Sequence, residues 1–189
     1  MIRQHACLTQ LTSGIPRASW LDASPKPCSI SVEGCRADEG ANVLSAVRVA
    51  HIHAPRSLLY QYLCDVEKQV AWRPELTGME LVSGAPGRVG TTYREHIRMD
   101  EGEVDTLVTV NQVRCPERLE IIATAENLSY LLRFDLFPED ENTRLVTTIH
   151  LSTNAPITAD RERTIWGAVT RSVDRALVLL EQAFSAESA

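Results

Sequence analysis

Residues 157–184 read ITADRERTIWGAVTRSVDRALVLLEQAF, and this run decides the fold. Ile165, Val169, Val173, Ala176, Leu177, Leu180 and Phe184 step by three or four, which makes one continuous apolar stripe along an α-helix. Asp160 and Glu162 sit near its start, where negative charge complements the helix dipole. About 28 residues at 1.5 Å each give a helix of roughly 42 Å. A nine-residue strand spans only about 30 Å. One helix of this length can cross a whole sheet, and the sheet must curl to stay in contact with it.

The sheet is legible upstream. Strand-like segments run from Met79 to Val82, Thr91 to Met99, Val104 to Val113, Arg118 to Ala125, Leu128 to Phe137 and Arg144 to Ser152. The breaks between them are Ser83 to Gly90, Asp100-Glu101-Gly102, Pro116, Asn127 and Pro138 to Asn142. Strands joined only by turns form an antiparallel sheet. Ahead of these, Val43 to His53 reads as a further strand. Ala54-Pro55 then opens a helix, with proline at the first helical position. Leu58, Leu59, Tyr62, Leu63 and Val66 recur at helical spacing. A second short helical piece covers Glu67 to Ala71 and is ended by Pro74, because the residue before proline is pushed out of the α region. The fold class is α+β: a curved antiparallel sheet wrapped around a long C-terminal helix, with two short helices. The domain occupies residues 43–189. Residues 1–42, rich in Pro, Gly, Ser and Thr and without lasting periodicity, read as a flexible N-terminal extension.

Composition excludes several classes. The net charge of −6 and scattered Lys and Arg make a nucleic-acid partner a poor fit, since that needs clustered positive charge. No run of about 18 apolar residues exists to span a membrane. The first 30 residues lack the apolar core of a signal peptide. Cys7, Cys28, Cys35, Cys64 and Cys115 are irregularly spaced and do not read as a disulfide framework, so a reduced, cytoplasmic protein is expected. They also lack the paired spacing of a metal site.

Individual motifs carry little chemistry. The turn Gly84 to Thr91 has no lysine and leads into a strand, so it reads as a glycine-dependent turn rather than a phosphate loop. His51 and His53 share one face of a strand but lack a fixed third ligand. No metal or cofactor is expected. Trp72 reads as a cap on the end of the sheet. Trp166 reads as core packing or as a stacking surface for an aromatic ligand. Arg133 and Asp135 read as solvated surface charges.

Strand alternation places Tyr93, Glu95, Ile97 and Met99 on the inner face of their strand. By the same rule Thr106, Val108 and Val110 face inward, as do Leu119, Ile121 and Ala123. Tyr130, Leu132, Phe134, Leu136, Leu145, Thr147 and Ile149 complete the inner face. A carboxylate there, Glu95, is costly unless paired or protonated, which makes it the candidate catalytic residue. The alternatives are an edge position or a salt bridge to an arginine of the helix. Tyr93, Glu95, Thr106 and Tyr130 are the polar groups that could orient a ligand. Ile97, Val108, Ile121, Leu132, Phe134, Trp166, Val169 and Val173 would give it an apolar surface.

Several stretches in this order resemble one superfamily. They are Ile52-His53-Ala54-Pro55, Trp72-Arg73-Pro74, the turn Gly84 to Thr91, Phe134-Asp135-Leu136-Phe137-Pro138 and Asn142-Thr143-Arg144. With the terminal helix they resemble the START-like (SRPBCC) superfamily, in its polyketide cyclase/dehydrase branch, over about residues 44 to 185. The resemblance implies a helix-grip fold of seven antiparallel strands, two short helices and a long C-terminal helix. It also implies a deep cavity for a small hydrophobic molecule such as a polyketide, lipid or quinone. It does not imply one reaction. Three function classes follow: hydrophobic-ligand binding, a polyketide cyclase or dehydratase using Glu95 with Tyr93 or Tyr130, and a protein-interaction module.

Overall fold

The computed structural model describes residues 33–34, 43–99, 102–125, 128–153 and 158–185. The N-terminal extension, with Cys7, Cys28 and Cys35, lies outside them apart from Glu33–Gly34. The elements are β1 (Glu33–Gly34), β2 (Val43–Ile52), α1 (Arg56–Cys64), a 3-10 helix (Val66–Ala71), β3 (Leu76–Ser83), β4 (Thr92–Met99), β5 (Gly102–Arg114), β6 (Arg118–Thr124), β7 (Leu128–Glu139), β8 (Asn142–Thr153) and α2 (Ala159–Ser185). The sheet is antiparallel throughout, in the order β1-β2-β8-β7-β6-β5-β4-β3. Seven long strands, the two short helices and the terminal helix are thus those read from the sequence. β1 adds a two-residue pairing, Glu33 with Val47 and Gly34 with Ala46, at the outer edge of β2.

Curvature comes from irregular register. β3 slips against β4 between Leu76 and Gly78 and again between Leu81 and Ser83, and β5 slips against β6 between Val110 and Gln112. Each extra residue bends its strand and increases the local twist. The concave face collects Ala50, Ile52, Tyr93, Val108, Val110, Leu119, Ile121, Ala123, Leu132, Phe134, Leu136, Leu145 and Ile149 into one buried cluster. Leu59, Leu63 and Val66 close it from one side, and Ala176, Leu177, Leu180 and Phe184 of α2 from another. Tyr62 of α1 meets Phe184 edge-on at 5.2 Å, which fixes the two helices together. Trp72 is buried and packs edge-on against Phe134 at 6.2 Å.

Pro55 sits one position earlier than expected. It is the N-cap, with φ −59 and ψ 141, and the helix begins at Arg56. Its extended ψ directs the chain out of β2, and Thr143 Oγ1 donates to the Ala54 carbonyl at 2.7 Å to hold that corner. Asp135 is a clearer correction. It is mostly buried and pairs with Arg118 at 2.5 Å and Arg133 at 3.1 Å. The reason is register: Arg118 and Asp135 stand directly opposite on β6 and β7. Cys115 is also corrected, being disulfide-bonded, whereas Cys64 is a free thiol.

The glycine turn imposes a strict requirement at Gly84. Its φ is +91, and a Cβ there would lie 2.8 Å from the Thr91 Cα. Both the dihedral and the contact exclude a side chain. Gly84→Ala is expected to cost about 2 kcal/mol or more, read as a lowered denaturant midpoint with unchanged slope.

Cys64 gives a pH signature. Burial pushes its thiol up from 9.0 to about 11, against a smaller opposing effect of the nearby Tyr60 hydroxyl. The unfolded chain releases this proton near its ordinary value and the folded chain holds it longer. The uncharged thiol's contribution is therefore fully present below pH 9 and is lost between about 9 and 11. Cys64→Ala is expected to make stability fall less steeply across that window, with the buried tyrosines still contributing above pH 10, measured by urea unfolding at successive pH values.

Candidate functional site

The site begins in the 3-10 helix. Three residues per turn place Val66, Gln69 and Trp72 on one side, and all three are buried. Arg73 follows immediately, ahead of Pro74, in the segment that leads into β3. Its backbone N–H donates to the Gln69 carbonyl at 2.8 Å, and its side chain turns into the protein.

Arg73 is the hub of a buried polar cluster. Nη1 donates to Glu95 Oε1 at 2.6 Å and to Gln69 Oε1 at 3.0 Å. Nε donates to Glu75 Oε1 at 3.1 Å, and Nη2 to the Tyr130 hydroxyl at 3.4 Å. Glu95 is fully buried. Its Oε2 accepts from Thr106 Oγ1 at 2.9 Å and from the Tyr130 hydroxyl at 2.8 Å. Every partner named for Glu95 is able to donate to it, so both of its oxygens are satisfied. Thr106 is there because Glu95 and Thr106 face each other across β4 and β5.

The charges support one another. Burial alone would lower the Arg73 pKa, but Glu95, Tyr130 and Glu75 outweigh it and hold the guanidinium charged above its ordinary range. Burial, then the Glu95 charge, raises the Tyr130 hydroxyl well beyond the usual tyrosine range, against the opposing pull of Arg73. Tyr130 therefore keeps its proton. Two buried polar atoms of the cluster lack a hydrogen-bond partner among the described residues, Gln69 Nε2 and Glu75 Oε2.

The structure brings together Glu95, Thr106 and Tyr130 by direct hydrogen bonds. Tyr93 is buried two pairs along on the same face, opposite Val108. Val108, Ile121, Leu132 and Phe134 are buried in the hydrophobic cluster. Ile97, Tyr130, Trp166, Val169 and Val173 are half-buried. Arg73, Gln69 and Glu75 were not anticipated as site residues. The only hint was arginine in the Trp72-Arg73-Pro74 motif, which has no periodicity to give its direction.

The long helix divides in two. Ala176, Leu177, Leu180 and Phe184 are buried, whereas Ile165, Trp166, Val169 and Val173 on the same stripe are not. Beside the first half lies a hollow of about 350 Å³ lined by Leu44, Ala159, Glu162, Arg163 and Trp166. Trp166 thus lines an opening and is not part of the buried core. Leu44 pairs with Leu151, which pairs with Tyr130. The hollow therefore shares a row of the sheet with the Tyr130 backbone, two strand spacings or roughly 10 Å away, while Glu95 and Thr106 stand farther across, on β4 and β5. Where β2 passes under α2, buried Arg48 donates to Asp174 at 2.6 Å, a contact not foreseen from the sequence.

His51 is exposed and pairs with Glu139 at 2.8 Å. No cluster of three metal-ligating side chains occurs among the described residues. Nor is any described helix long and apolar enough to cross a membrane.

Comparison with known proteins agrees with this architecture. The family model for polyketide cyclase / dehydrase and lipid transport matches residues 44–185. No curated protein matches. Among solved structures, the Zhui aromatase/cyclase from Streptomyces sp. R1128 superposes with a TM-score of 0.65 at 18% identity, covering 75% of this chain and 94% of that one. A protein from Thermus thermophilus gives 0.63 at 21% identity, covering 77% and 99%. A START superfamily protein from Mycobacterium smegmatis gives 0.61 at 12% identity, covering 73% and 97%. At these identities the likeness is one of fold.

Proposed function

Because the chain belongs to the polyketide cyclase / dehydrase and lipid transport family, we propose that it binds a small, largely apolar molecule between the first half of α2 and the concave face of the sheet. One observation carries this reading: the apolar stripe of α2 is buried from Ala176 onward but left half-covered at Ile165, Trp166, Val169 and Val173. Val169 and Val173 touch the buried cluster from outside, so the half-covered part of the stripe borders the core and leaves apolar surface beside it. The adjoining hollow of about 350 Å³ falls within the usual size of small-molecule sites, about 300–1,000 Å³. Burying apolar surface at about 25 cal/mol per Å² supplies the affinity. Tyr130, held by Glu95 and Arg73, supplies the polar contact that orients the ligand.

The test is a titration with Nile red, a neutral apolar fluorophore. A saturable blue shift, displaced by aromatic or long-chain competitors and weakened about tenfold in Trp166→Ala at unchanged Tm, supports the reading. Absence of saturable binding contradicts it.

A second reading is cyclase or dehydratase chemistry. The observation favouring it is a carboxylate and a tyrosine joined at 2.8 Å beside an arginine, an arrangement able to hold and pass a proton. Loss of turnover on a poly-β-ketone in Glu95→Gln, with binding intact, supports it. Unchanged turnover removes it.

A further inference from the structure

We propose that the polar end of the ligand is a hydrogen-bond donor, a hydroxyl or an amine, and that the site discriminates against ketones and carboxylates of the same shape. This rests on the binding reading above and specifies its ligand class. Glu95, Arg73, Gln69 and Thr106 are buried, whereas Tyr130 and Glu75 are half-buried, so these two are the members of the cluster that an incoming group meets, and Glu75 offers only acceptors. A phenol has one proton to donate and two positions to accept. The proton of Tyr130 is committed to Glu95 Oε2 at 2.8 Å. Arg73 Nη2, at a long 3.4 Å, takes one accepting position. What remains is a lone pair, which a ligand O–H or N–H can use and a carbonyl oxygen cannot. Turning the Tyr130 proton toward a ligand carbonyl would strip one donor from a fully buried carboxylate, which is costly.

Charge points the same way. Arg73 lies between two carboxylates, Glu95 at 2.6 Å and Glu75 at 3.1 Å, so the cluster is net negative. A ligand carboxylate would add a third negative charge where water screens poorly. Arg163 at the hollow does not reverse this, since it is exposed, pairs with Asp160, and has Glu162 beside it. The buried Glu75 Oε2, without a hydrogen-bond partner among the described residues, is one more acceptor in the same cluster.

Calorimetric titration of three probes with one apolar body tests the idea: 2-naphthol, 2-acetylnaphthalene and 2-naphthoate. On the wild-type protein the naphthol is expected to bind at least about tenfold tighter than either of the others. In Tyr130→Phe, which deletes only the hydroxyl, that advantage is expected to shrink to within about threefold. If the ketone or the carboxylate binds wild type as tightly as the naphthol, the donor preference is overturned and the apolar-binding reading stands. Retention of the full advantage in Tyr130→Phe overturns Tyr130 as its source. Failure of all three probes to bind overturns both this inference and the reading beneath it.

Discussion

Replacing Glu95 by alanine is expected to destabilise the protein by about 3–5 kcal/mol, the range seen when one partner of a buried ion pair is removed. For a domain of this size that is a drop of roughly 10–15 °C in Tm. The reason is the group left behind. Arg73 is buried and held charged, and loss of Glu95 removes its contact at 2.6 Å. Thr106 and Tyr130 also lose their acceptor. The double variant Arg73→Met/Glu95→Leu is expected to lose clearly less than the sum of Arg73→Met and Glu95→Leu, because no buried charge of that pair is then stranded. Urea unfolding of the three proteins checks this. A change under about 1 kcal/mol in Glu95→Ala would mean that the pair is not formed in solution.

The second large effect separates the two halves of α2. Leu180 is fully buried beneath the sheet, and Leu180→Ala is expected to cost about 2–5 kcal/mol through lost burial and the cavity it leaves. Val169 lies on the same stripe but is half-buried. Val169→Ala is expected to cost under about 1 kcal/mol while weakening Nile red binding several-fold. Stability and affinity are thus assigned to different turns of one helix. Thermal unfolding with and without the dye reads both quantities. Equal stability losses at the two positions would show that the whole stripe is core.

Much of this architecture was legible because it is periodic. The period of two identified the inner-face side chains from Tyr93 to Ile149, since a half-buried sheet forces alternation. The period near 3.6 identified α2 for the same reason. Glu95 was legible as an inner-face carboxylate but its fate was not. Its partner Arg73 lies 22 residues earlier, in a non-repeating segment between a 3-10 helix and a strand. No pattern in the sequence says which way such a side chain turns. The division of α2 was hidden for a related reason. The stripe from Ile165 to Phe184 is uniform in sequence, and only the extent and curl of the sheet decide which turns are covered. Asp135 looked like surface because alternation places it outward, yet cross-strand register hands it two arginines.

The most direct test of the central claim is the crystal structure of the protein with 2-naphthol bound. The account predicts the naphthalene against Leu44, Trp166 and Val169, with its hydroxyl within about 3 Å of the Tyr130 oxygen. Density for the ligand elsewhere on the molecule, with the first half of α2 closed down onto the sheet, would contradict it.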